Sequence, residues 1–65
     1  MNLKVNGETR QTDSLTLKEL LEELGIMRDR VAVEVNLKIV KKADHDVYQL
    51  SEGDVIEIVN FVGGG

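Results

Sequence analysis

The stretch Val55-Ile56-Glu57-Ile58-Val59-Asn60-Phe61-Val62-Gly63-Gly64-Gly65 decides how this chain folds. Read as an extended strand, it puts Ile56 and Ile58 on one face and Val55, Val59 and Phe61 on the other, interrupted by Glu57 and Asn60. A strand that is apolar on both faces belongs inside a sheet, where it is either covered twice or covered once with the second face offered to a partner. The rest of the chain settles what covers it.

Upstream, the polar turn cluster Ser51-Glu52-Gly53-Asp54 introduces this strand. Val31, Val33 and Val35 alternate with Ala32 and Glu34 as a second strand, which Asn36 to Val40 continues as a short turn and strand. Residues 41–54 are looser, with a polar run from Lys41 to Asp46 and a short edge piece expected from Val47 to Leu50. At the other end, Leu3-Lys4-Val5 alternates, Asn6-Gly7 suits the positive φ values of a type I′ turn, and Thr9 to Thr12 is extended and polar, which predicts an opening hairpin.

One helix lies between the two halves. Thr16 is placed to accept from the Glu19 N–H while the Glu19 side chain reaches back to Thr16, with Leu15 and Leu20 at the positions of a hydrophobic staple. Leu17, Leu20, Leu21 and Leu24 recur at i, i+3, i+4 and i+7, and Gly25 stands where a left-handed terminating residue belongs, so the helix is expected over residues 17–24. The order hairpin, helix, strand, short connections, final strand is the β-grasp arrangement. It is an α+β layer pair, with a mixed sheet of four to five strands and one main helix on one face. The expected division is a domain over residues 1–62 and a Gly63-Gly64-Gly65 tail. With a single helix to cover the sheet, Val59 and Phe61 are left as an exposed apolar patch near that tail.

Composition narrows the function. The chain has 65 residues and no cysteine, and a domain near this size buries only about 60% of the surface its unfolded chain exposes. A large enclosed active site is not expected. Twelve acidic against eight basic residues give a net charge of −4, the wrong sign for a phosphate-binding surface, so no nucleic-acid partner is expected. No apolar run approaches the roughly 20 residues that span a bilayer, and Met1 leads into alternating Leu3 and Val5 without a signal-type segment. A soluble, cytoplasmic protein, monomeric in isolation, is the expectation.

Few side chains suggest chemistry. His45 between Asp44 and Asp46 has no second His or Cys to complete a metal site, and reads as part of a solvated loop. Glu19, Glu22 and Glu23 read as the charged outer face of a small helix, and Lys41-Lys42 as surface loop. The final glycines are more informative. A phosphate-cradling glycine loop must run into a helix, whereas these follow a strand directly. A glycine-rich end alone fits a frayed terminus equally well. After a strand apolar on both faces, however, three residues without side chains make a tail thin enough to thread a narrow cleft, with the Gly65 α-carboxylate as its reactive group. Because carboxylates are poor electrophiles, a second enzyme would have to activate it.

Val5-Asn6-Gly7, Thr16 to Gly25, Val31 to Val40, Glu52-Gly53-Asp54, Ile56 to Val59 and Phe61 to Gly65 together make the whole chain resemble the ThiS-type sulfur carriers of bacterial thiamin biosynthesis, a ubiquitin-like β-grasp family. The resemblance implies a cosubstrate and not an enzyme, holding no cofactor of its own. An E1-like adenylating enzyme of the ThiF type would use ATP and magnesium to convert the Gly65 carboxylate to an acyl-adenylate. Sulfur from a cysteine desulfurase or related donor would then leave a thiocarboxylate, and a ThiG-type thiazole synthase would accept that sulfur. On this reading Gly63 and Gly64 thread the partner clefts, and Val59, Phe61 and Val62 dock. The rival readings are a molybdopterin synthase small subunit, a ubiquitin-like protein modifier and an interaction module with an inert tail.

Overall fold

The computed structural model describes residues 1–61, so Val62 and the glycine tail lie outside the described residues. Strands β1 (Asn2–Val5) and β2 (Glu8–Gln11) form an antiparallel hairpin closed by Asn6 and Gly7, at φ +49° and +84°. These are the left-handed values that the Asn-Gly pair predicts. Helix α1 (Leu17–Glu23) follows, then β3 (Val31–Val35), β4 (Lys38–Val40) and β5 (Val55–Asn60). The five strands make one mixed sheet in the order β2-β1-β5-β3-β4. The last strand of the chain is therefore the central one, parallel to β1 and antiparallel to β3.

A helix of seven residues is too short to stand alone, and both of its ends are closed by side chain and backbone. The Thr16 hydroxyl accepts from the Glu19 N–H at 3.2 Å, and a Glu19 carboxylate oxygen accepts from the N–H groups of Leu15 and Thr16 at 2.8 and 3.0 Å. Those two backbone donors hold the Glu19 carboxyl below its ordinary value. At the far end Leu24 caps the helix, and Gly25 at φ +71° lets the N–H groups of Gly25 and Ile26 reach back to the carbonyls of Glu22 and Leu21. Leu17, Leu20 and Leu21 are fully buried against Leu3, Val33, Val35 and Ile56. The expected partner of Leu20 in a staple does not join them, since Leu15 is 63% exposed.

Two expectations are corrected between residues 41 and 50. His45 is not in a solvated loop: it is 1% exposed, with Nε2 3.1 Å from the Val40 carbonyl and Nδ1 without a partner among the described residues. A one-turn coil at Lys42–Asp44 rolls the chain so that its neighbours Asp44 and Asp46 stay outside while the imidazole fills the end of a core that has few large side chains. The segment Val47 to Leu50 pairs with the entry to α1 and not with a sheet edge, through Leu17 N–H to Tyr48 O at 3.0 Å and Leu50 N–H to Leu15 O at 2.9 Å. The β3–β4 turn is as tight as the first hairpin, with Asn36 at φ +53° and Leu37 at φ +72°.

Glu23 is more than part of a charged outer face. Its carboxylate accepts from the Thr12 and Ser14 hydroxyls and from Arg10, tying the last turn of α1 to β2 and the segment after it. The Thr12 hydroxyl first, then Arg10 and Ser14, hold this carboxyl at about 2. A carboxyl depressed on folding stabilises the fold above its unfolded value, and that stabilisation is lost as pH falls through the folded value. Glu23→Gln should therefore lower the urea midpoint at neutral pH and flatten its decline between about pH 4 and about pH 2. Identical acid profiles for the two proteins would refute the tether.

Leu37 gives the opposite kind of prediction. An L-residue in the left-handed region costs about 1–2 kcal/mol, and the Leu37 side chain is 86% exposed and so returns little of it. Leu37→Gly should raise the unfolding free energy by about 0.5–1 kcal/mol, the greater freedom of glycine in the unfolded chain offsetting part of the relief. Thermal unfolding would register this as an upward shift of a few degrees, and a downward shift would refute the strain.

Candidate functional site

The site is built around β5, and two asparagines hold that strand in place. β1 pairs with β5 over only two residues, Lys4 with Val55 and Val5 with Ile56, before the chain turns away. Asn6 continues the ladder beyond the turn. Its backbone N–H donates to Ile56 O at 2.9 Å, its Oδ1 accepts from the Ile58 N–H at 2.7 Å, and its Nδ2 donates to Ile58 O at 3.3 Å. On the other side Asn36 holds the start of the strand, accepting from the Val55 N–H at 2.9 Å and donating to Asp54 Oδ1 at 3.0 Å. β3 carries the pairing to Val31 and Asn60, and the Phe61 N–H still donates to Arg30 O at 3.1 Å. The backbone is thus bonded up to Phe61.

The two faces of β5 differ as their alternation predicts. Ile56 is fully buried beneath α1 and Ile58 is half-buried, whereas Val55, Val59 and Phe61 are 38%, 58% and 61% exposed. Register brings further residues to the open face that sequence reasoning did not single out. Ala32 lies opposite Val59, Glu34 opposite Glu57, and Ile39 on the far side of Glu34. The alternation of β3 held the signal for Ala32 and Glu34, but only the pairing with β5 shows that they share a face with Val59. Val62, Gly63, Gly64 and Gly65 lie outside the described residues, and their expected roles rest on sequence.

Among the described residues no catalytic constellation accompanies this face. Among the described residues no group of three or more His, Cys, Asp or Glu side chains comes together to hold a metal. His45 is sealed in the interior, Glu19 caps the helix and Glu23 ties it down, while Lys42 pairs with Asp29. No helix among the described residues is long and apolar enough to cross a membrane. The grooves beside β5, such as the one lined by Asn6, Ile26, Met27, Arg30 and Ile58, open broadly to solvent. The described residues offer an open apolar surface and no enclosed chamber.

Comparison with known proteins agrees with that geometry. The ThiS family model matches residues 3–65. A thiazole synthase from Paramagnetospirillum magneticum is 47% identical over 66 residues, covering 100% of this chain and 20% of that protein, so the chain spans about a fifth of that relative's length. The sulfur carrier protein ThiS of Thermus thermophilus is 39% identical over 61 residues, 94% of this chain and 95% of the carrier. The crystal structure of the thiamine biosynthesis protein ThiS from Geobacter metallireducens superposes with a TM-score of 0.85 at 35% identity, over 100% of both chains. With its helix on one side of a five-stranded ubiquitin-like β-grasp sheet and the family match running through almost every residue, the chain belongs to the ThiS family.

Proposed function

We propose that this chain is a cosubstrate that carries sulfur on the α-carboxyl of Gly65. A ThiF-type enzyme, using ATP and magnesium, joins the Gly65 carboxylate to AMP with release of pyrophosphate. The outer sulfur of a persulfide on a cysteine desulfurase or a related donor then displaces AMP to give an acyl disulfide, and a thiol cleaves its S–S bond by two-electron reduction to leave the thiocarboxylate. A ThiG-type thiazole synthase receives that sulfur as it builds the thiazole of thiamin. The chain itself holds no cofactor and catalyses no step.

The observation that carries this reading is the course of β5. A central strand bonded on the β1 side as far as Ile58 and on the β3 side as far as Phe61 precedes Gly63-Gly64-Gly65 in the sequence, beside an apolar face that α1 does not cover. A partner that grips Val59, Phe61 and Val62 would hold the chain immediately before the glycines, which supplies the orientation that acyl activation needs. The likeness to a thiazole synthase supports the thiazole pathway over the molybdopterin one, because there a sequence of this kind lies within a chain named for that synthase.

Intact-mass measurement after incubation with ATP, magnesium, a ThiF-type enzyme and a sulfur source tests the chemistry. Oxidation of Met1 or Met27 adds nearly the mass gained when sulfur replaces oxygen, so the product is alkylated with iodoacetamide. With no cysteine in the chain, one alkyl group mapped to Gly65 is the expected result. No adduct, from an enzyme active on a known carrier, would refute the proposal. One residue added after Gly65 should abolish adenylation, since it moves the carboxylate out of the activating site.

Docking is tested separately. Val59→Asp changes a residue that is 58% exposed, so the melting temperature should move by no more than a few degrees while adenylation slows by about tenfold or more. Unchanged adenylation kinetics would remove Val59 from the docking surface.

A further inference from the structure

The open face carries an unusual charge arrangement. Glu34 and Glu57 stand directly opposite each other on β3 and β5, the two central strands of the exposed face, and like charges in that relation repel. Their surroundings are mainly apolar: Ile39 lies across from Glu34, the next same-face pair is Ala32 with Val59, and Val55 precedes Glu57 by two positions. Neither carboxylate forms an ion pair among the described residues. Lys4, the cation next to Val55 on β1, pairs with neither. Elsewhere on the protein some charges do find partners, with Arg10 on Glu23 at 2.8 Å and Arg28 on Asp46 at 2.9 Å.

We infer that the Glu34–Glu57 pair is a recognition element, and that the protein docking on this face presents an arginine set among apolar side chains. The inference rests on the carrier reading above and adds the chemistry of the partner's surface. An apolar patch alone attracts any apolar surface. Two carboxylates side by side within it select a partner whose cation fits between them, and the planar guanidinium fork meets both better than an ammonium does. The same pair turns away an acidic surface, which would add a third like charge. Docking replaces a repulsion in the free carrier by two charge-assisted contacts in the complex.

The test uses the ThiF-type enzyme as the probe and the variants Glu34→Gln, Glu57→Gln and the double variant. Each should weaken binding, the double variant by about tenfold or more, and each should reduce the dependence of Kd on salt. The free double variant should melt about 1–5 °C higher, because the cross-strand repulsion is gone. Affinity and stability moving in opposite directions separates recognition from a structural role. Wild-type affinity and salt dependence in the double variant would overturn the inference while leaving the carrier reading intact. If an enzyme competent on a known carrier neither binds nor adenylates the wild-type chain, both fall together.

Discussion

Everything in this fold depends on the placement of β5 between β1 and β3, and backbone pairing alone does not secure it on the β1 side. Two ladder pairs join β1 to β5 before Asn6 begins the turn. The Asn6 side chain then takes the place of the next backbone unit, accepting from and donating to Ile58. Asn36 does the corresponding work at the start of the strand, between Val55 and Asp54. Both asparagines sit at positive φ in tight hairpin turns, a conformation asparagine tolerates better than most residues. Glycine would serve either turn, but it would leave the bonded groups of β5 on that side without partners. One residue type thus closes each hairpin and fastens it to the strand between them.

The helical layer answers the same shortage of material in another way. Seven residues give α1 one buried leucine stripe, and its stability comes from its ends and its tether. Glu19 and Glu23 are four residues apart on one short helix and serve different ends: the first satisfies backbone donors at the N-terminus, the second collects two hydroxyls and a guanidinium at the C-terminal turn. A carboxylate in the last turn is unfavourable to the helix dipole. The bonds from Thr12, Arg10 and Ser14 supply the compensating partners, and they also fix how far α1 can tilt from the hairpin.

What was legible in the sequence was whatever is decided locally. Asn6-Gly7 announced its turn, Thr16 and Glu19 their reciprocal cap, Gly25 the helix end, and the double-sided apolar pattern of residues 55–61 the central strand. The features that were not legible depend on distant contacts. His45 lies between two aspartates and reads as solvent-exposed, yet the coil at Lys42–Asp44 turns only the imidazole inward. Leu37 carries no signal for a left-handed turn and adopts one because Val35 and Lys38 must pair across it. Val47 to Leu50 has strand-like composition, but its hydrogen bonds go to the helix entry. The Glu34–Glu57 pair exists only in the register between β3 and β5, which no single-strand pattern specifies.

The same short strand serves stability and carries the proposed docking residues, and its pleat keeps the two sets apart. Ile56 is fully buried and Ile58 is half-buried on the helix side, while Val55, Glu57 and Val59 alternate with them toward the open face. The ladder and the asparagine clamps act on backbone groups and so hold both rows at once. Odd-numbered positions can accordingly change to suit a partner with little effect on the core, whereas a change at Ile56 disturbs the leucines of α1 directly. This separation is available only because the strand is central, paired on both sides and covered on one face. An edge strand with the same alternation would have to protect an unpaired row of backbone donors as well. In the proposed carrier role this face would have to be rigid when free, and a clamped central strand supplies that rigidity without a large core.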